Sequence, residues 1–314
     1  MTDGTSRFPN PVQTEFLRTC LLGGAVGREA LAAWLAKAGD GIAGLRRAEQ
    51  ADKNLFALFQ HARQGDGSPA PFRAILRAAA AHEELRVEAI GAAAAETLEL
   101  LEEAGVETLV VGGAALAWGY YPDPSLRHCH DIDLLVAEPG RAREALAGFE
   151  TLSTDRSTRL RHPSGTLIGL HPTLYRERWR REPADLDGCS MPIAIAGRAG
   201  RALGAADLVV ATSANAFAAA SPGLRFLADV WFLIGSEKVD WDRVTAHAVG
   251  SKRAVPTSLV LGWLAEHTDA GVPAAVLARL DRARIGETAV ELAVGGVRRA
   301  RGLVRRFPAR IPRP

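Results

Sequence analysis

Cysteine, methionine and aromatic residues are scarce in this chain, and each scarcity removes a class of protein. Three cysteines in 314 residues, Cys20, Cys129 and Cys189, are odd in number and widely spaced. That pattern excludes a disulfide framework and a zinc knuckle. It suits a reducing compartment, so a cytoplasmic location is expected. Residues 1–10 hold Asp3 and Arg7 and no apolar run, which predicts no secretory leader. No run of about 18 apolar residues occurs, so no membrane-spanning helix is expected. Aromatic residues make up only 6%, and Phe307 alone interleaves with the ten arginines from Arg279 onward. Stacking platforms for nucleic acid need aromatics among the cations, so nucleic acid is not the favoured partner. That basic tail reads as a solvated face, with a polyanion-binding patch as the alternative.

What is present can build a sizeable core. Hydrophobic residues make up 47% and charged residues 24%, with a net charge of +2. This length predicts two or three packed units. Residues 1–104 read as a helical region, with Leu17, Leu21, Leu31, Trp34, Leu35, Leu55, Leu58 and Phe59 at helical spacing. Gly-rich breaks fall at 39–41 and 65–69, and an alanine-rich pattern runs from Pro71 to Glu103, capped by Gly105. Residues 105–200 change period. Strands are expected over 107–111, 131–136, 159–162, 166–171 and 191–196, with a short helix after Gly112-Gly113 and another over 141–148. Residues 201–314 return to helix, over 205–219, 223–235, 241–249, 255–268 and 286–305. The fold class is therefore α+β: a small mixed sheet flanked by N- and C-terminal helices.

The chemistry concentrates in the middle unit. Alternation along a strand places Asp131 and Asp133 on one face and turns Ile132 and Leu134 to the other. Two carboxylates so close repel unless a cation lies between them, and a magnesium ion with its hard oxygen ligands meets that need. Gly112 and Gly113 follow a strand and open a helix, where backbone N–H groups can approach phosphates. Arg127 could fork onto a triphosphate or pair with Asp123 or another local acid. Tyr120 and Tyr121 could stack on a base or pack under the loop. Asp229 is expected to pair with an arginine. Trp118, Trp179, Trp231 and Trp241 read as core or helix-interface residues.

Leu109-Val-Val-Gly-Gly-Ala-Ala-Leu-Ala-Trp-Gly-Tyr-Tyr-Pro122, then Arg127, then His130-Asp-Ile-Asp-Leu-Leu-Val136 resembles the bacterial uncharacterised nucleotidyltransferase family. That family belongs to the DNA polymerase β-like superfamily. Leu170-His171 and the Leu224–Asp229 segment with Asp240-Trp241 extend the resemblance over about 95–280. It implies a Mg-dependent enzyme that moves a nucleoside monophosphate from a nucleoside triphosphate, such as ATP, to a hydroxyl or similar acceptor on a small molecule or peptide. Asp131 and Asp133 would bind the metal, with Gly112, Gly113 and Arg127 at the nucleotide. The family lysine is Gly112 here, the hydroxyl expected after the first glycine is missing, and the third carboxylate is Gly169. His171, two residues on, or Glu177 would then stand in for that acid. The alternatives are a nucleotide-binding or scaffold protein that has lost catalysis, and a tRNA-modifying transferase.

Overall fold

The alanine-rich pattern folds as one long helix because alanine loses no side-chain entropy there. In the computed structural model, which describes residues 8–38, 53–64, 70–154, 157–175, 190–218, 223–236 and 239–284, this helix spans Ala70–Glu103. It is α4, after α1 (Pro11–Leu21), α2 (Gly24–Ala38) and α3 (Phe56–Ala62). Asn10 starts α1 with a capping box completed by Gln13. Gly105, at φ +64, ends α4: Val106 N–H reaches Leu101 O at 2.8 Å and Gly105 N–H reaches Glu102 O at 2.8 Å. Only glycine enters that left-handed turn without strain. Phe16, Trp34 and Phe59 hold the first three helices together, with Phe16 and Trp34 at 5.6 and 5.8 Å from Phe59 by ring centroid. The two expected Gly-rich breaks lie outside the described residues.

Seven strands follow: β1 (Thr108–Val111), β2 (Asp131–Val136), β3 (Glu150–Ser153), β4 (Thr158–Arg161), β5 (Leu167–His171), β6 (Ser190–Ile195) and β7 (Arg198–Leu203). They form one mixed sheet in the order β3-β4-β5-β2-β1-β7-β6. β2 runs antiparallel to β1 and parallel to β5, so its carboxylates sit at the middle of the sheet. Ile132, Leu134, Ile168, Leu170 and Leu160 turn to the opposite face and are fully buried.

Two strands were not expected from the sequence. β3 is an exposed edge without alternation. β7, Arg-Ala-Gly-Arg-Ala-Leu, has no β-branched residue. Its neighbours make it a strand: β1 pairs along one edge and β6 along the other. A two-residue turn at Ala196-Gly197, φ 48 and 82, supplies the reversal.

Helices α5 (Gly112–Gly119) and α6 (Pro139–Ala145) lie between strands, and α7 (Ala205–Ala218), α8 (Leu224–Gly235), α9 (Trp241–Gly250) and α10 (Ala254–His267) follow the sheet. α6 starts two residues before the expected Arg141, with Pro139 in its first turn. A further helix at 274–284, after Pro273, was not anticipated. The one expected over 286–305 lies outside the described residues. One continuous apolar core joins Phe16 to Leu280 across sheet and helices. The protein is α+β.

Candidate functional site

Alternation along β2 leaves Asp131 and Asp133 half-exposed while Ile132 and Leu134 are buried. Asp133 pairs in register with Val111 on β1 and Gly169 on β5, and Gly169 pairs with Arg159 on β4. Paired residues share a face. Asp131, Asp133, Gly169, His171 and Arg159 therefore all face one side. Burial, and after it the charge of Asp133, pushes the Asp131 carboxyl above its usual range. Two like charges are being pressed together here.

Gly169 stands where a third carboxylate was expected, and its space is occupied by its neighbours. His171 Nε2 lies 2.7 Å from Asp133 Oδ1, directly over the glycine. A Cβ at residue 169 would run into Asp133 Oδ1 and come within 2.7 Å of His171 Nε2. The glycine thus admits the His171–Asp133 contact. With Asp133 ionised, Nε2 carries the proton and donates, so Nδ1 is the ring's free basic atom.

β1 passes straight into α5 through Gly112 at φ +61, and a Cβ there would lie 3.2 Å from Asp133 Oδ2. The glycine turn abuts the carboxylate, and Val111 offers no side-chain cap to the first turn of α5. Behind Gly113 lies Arg127, whose NH1 sits where a Cβ would go. Arg127 Nε and NH2 donate to Asp229 Oδ1 and Oδ2 at 3.1 and 3.0 Å, and NH1 donates to His128 O at 3.1 Å. Tyr121 OH also donates to Asp229 Oδ1, at 2.9 Å. So the acid that pairs with Arg127 is Asp229, itself expected to pair with an arginine, and not Asp123 or another local acid. Asp123 instead caps the short turn of helix at Pro124–Leu126. All three guanidinium nitrogens are already engaged, and the pair is buried.

The other polar groups nearby are mostly occupied. His128 Nδ1 meets Glu83 Oε1 at 2.9 Å, and His130 Nε2 lies 3.6 Å from Asp131 Oδ2. Burial pushes the Cys129 thiol up, so it stays neutral, and its Sγ donates to Asp131 O at 3.2 Å. Tyr120 OH donates to Leu203 O at 3.2 Å, and Tyr121 packs 4.0 Å from Phe232 by ring centroid. Both tyrosines pack rather than stand open for a base. Trp118 packs against the core. Trp231 and Trp241 line a cavity of about 440 Å³ between α8 and α9, beside Asp269. Trp179, Glu177 and Cys189 lie outside the described residues.

Sequence reasoning missed two arginines. Arg159 is exposed on the carboxylate face, in the row of Asp133 and Gly169, and its charge acts on Asp131. The expected strands at 159–162 and 166–171 contained the signal, because pairing them across residues 163–165 sets Arg159 opposite Gly169. Arg225, in the first turn of α8, is half-buried near His130 and Cys129. It lies in the Leu224–Asp229 segment that carries the family resemblance, which assigns it no role.

Set against known proteins, residues 45–269 match the model of the uncharacterised nucleotidyltransferase family. No curated protein matches the chain. Among solved structures, an antigenic nucleotidyltransferase-like protein from Paracoccidioides brasiliensis is similar, at 14% identity and a TM-score of 0.44, over 60% of this chain and 96% of that one. The antibiotic-resistance factor ANT(2'')-Ia is also similar, at 17% identity and a TM-score of 0.39, over 59% of this chain and 98% of that one. The family match covers more than two thirds of the sequence, including both strands that carry the carboxylate face. The chain belongs to the uncharacterised nucleotidyltransferase family.

Proposed function

We propose that this protein transfers a nucleoside monophosphate from a nucleoside triphosphate, ATP among the candidates, to a hydroxyl or similar acceptor on a small molecule or peptide. The observation that carries this reading is the Asp131–Asp133 pair on one strand face, with the glycine turn against Asp133.

The donor set fits a magnesium ion. Among the described residues neither carboxylate pairs with a lysine or arginine, and burial and the charge of Asp133 push the Asp131 carboxyl up, which a cation between the two would offset. No three His, Cys, Asp or Glu side chains among the described residues gather as a ready-made cluster. Magnesium is commonly held by one or two carboxylates with substrate phosphates and water completing its shell. When bound, it would supply charge neutralisation for the triphosphate and its leaving group.

The chain's own groups divide the remaining work. Asp131 and Asp133 hold the cation. The uncapped amides at Gly112 and Gly113 bind phosphate oxygens, as helix starts do. Arg127 acts indirectly, since its pairing with Asp229 fixes the turn at Gly113. His171 takes the place of the absent acid: Nε2–H orients Asp133, and Nδ1 is the basic atom that can accept the acceptor's proton.

A second reading, a nucleotide-binding scaffold, draws on Gly112 in place of the lysine and Gly169 in place of the acid. Single-turnover assays with four labelled triphosphates, against hydroxyl metabolites, peptides and tRNA, separate the two. The enzyme reading expects magnesium-dependent transfer that Asp131→Ala abolishes. Tight nucleotide binding with no transfer to any acceptor would favour the scaffold, and labelled tRNA would favour the RNA-modifying alternative.

A further inference from the structure

The site lacks a lysine at residue 112, and Arg127 is consumed by Asp229, yet a triphosphate needs a cation besides its metal. Arg225 is the group nearby whose own needs are unmet. Among the described residues its guanidinium makes no hydrogen bond and no ion pair, and its Nε is buried without a partner. Its guanidinium carbon lies 5.4 Å from the centroid of the Phe226 ring. Asp229 lies within its electrostatic reach, one turn along α8, but both oxygens of that carboxylate are taken by Arg127, and one of them also by Tyr121.

A half-buried guanidinium beside a second arginine is costly. Burial, and then the charge of Arg127, pull Arg225 below the usual arginine range. Native proteins rarely leave such a group unsatisfied, and each case calls for a physical reason, a functional role or a bound ion among them. Its position fits that reason. Asp229, one turn along the same helix, holds Arg127 against Gly113, so α8 packs behind the glycine turn, and the charge of Arg225 acts on His130, Cys129 and Tyr121. An arginine fork matches phosphate oxygens geometrically, which a lone ammonium does not.

We propose that Arg225 binds the polyphosphate of the nucleotide, supplying from α8 the cation that residue 112 does not provide. This rests on the nucleotidyltransferase reading above and names a residue that reading does not use. Asp229 then has two tasks on one helix. It anchors Arg127 under the glycine turn, and by doing so it leaves Arg225 uncompensated for a ligand.

The test is calorimetric titration of sodium tripolyphosphate, and of each of four nucleoside triphosphates, into the magnesium-loaded full chain. Arg225→Gln should weaken binding about tenfold or more, the usual effect of losing a charge-assisted hydrogen bond. Arg225→Lys, which keeps the charge and the fold but not the fork, should fall between. Affinity for magnesium alone should not change. The melting temperature should hold or rise, because an unpaired half-buried charge is being removed. Arg159→Gln should weaken binding less than Arg225→Gln does. Equal binding by wild type and Arg225→Gln overturns the proposal and leaves the nucleotidyltransferase reading intact. So does a larger effect from Arg159→Gln, or a loss of polyphosphate binding that comes with a fall in melting temperature. Wild type that binds neither tripolyphosphate nor any nucleotide overturns both.

Discussion

Two clusters of charge in this molecule, one buried and one half-exposed, have opposite electrostatics. At Asp207 on α7, Arg243 Nε and NH2 donate at 2.8 and 2.6 Å, and His247 Nδ1 lies 2.5 Å from the other oxygen. Tyr175 OH meets His247 Nε2 at 3.0 Å, which ties the segment after β5 to α9. Burial pushes the Asp207 carboxyl up, but the hydrogen bonds and charges of His247 and Arg243 outweigh it and hold it below its usual range. At Asp131 burial and a like charge act together, and the carboxyl rises. The first cluster is complete in itself and stabilises the fold. In the second, burial and a like charge act against ionisation, with no lysine or arginine paired to either carboxylate among the described residues. That contrast, more than any single motif, separates scaffold from site.

The largest effect should come from the scaffold side of the site. Asp229→Ala strands Arg127 in the interior, and breaking a buried pair this way costs about 3–5 kcal/mol. Urea denaturation measures it, and a loss under about 1 kcal/mol would mean the pair is no clamp. Next is Asp207→Asn, which weakens several charge-assisted bonds and should cost roughly 1–3 kcal/mol at pH 7. A carboxyl depressed in the folded state contributes stability that is present above the unfolded value, about 3.9, and lost as pH falls through the folded one. The difference between wild type and Asp207→Asn should therefore shrink in acid, and a constant gap from pH 7 to pH 2 contradicts the ion network.

The site should respond with the opposite sign. A carboxyl raised in the folded state destabilises once ionised, and the penalty is absent below the unfolded value and full above the folded one. Asp131→Asn should stabilise the metal-free protein at pH 7 by roughly 0.5–2 kcal/mol, as relaxing a strained site commonly does. That gain should vanish in acid, and a destabilised Asp131→Asn would erase the contrast. The smallest effect is expected of Gly169→Ala. Its Cβ displaces two side-chain ends rather than backbone. Stability should fall by only about 1 kcal/mol, while NMR of the His171 ring should report the loss of its bond to Asp133. An unchanged ring signal would show that the glycine is not there for that contact.

Much of this was legible in the sequence where local pattern decides structure. β2, the Gly112-Gly113 entry to α5, the Gly105 cap and the Asp240 cap of α9 all follow from period or turn chemistry. β7 was not legible, because its small and polar residues become a strand only through β1 and β6. The partner of Arg127 was legible only as a choice among acids, since Asp229 lies 102 residues away in the chain. Gly169 read as a missing acid, and only the fold reveals that His171 reaches across it. Arg225 stood in the Leu224–Asp229 segment without a role, for nothing in the sequence shows that its Nε is buried without a partner.

The most direct measurement is calorimetry of magnesium-dependent triphosphate binding to wild type and to Asp131→Ala/Asp133→Ala. The account predicts that wild type binds, that the double variant keeps its fold by circular dichroism, and that it no longer binds nucleotide in the presence of magnesium. Unchanged affinity for magnesium and triphosphate in the folded double variant would contradict it.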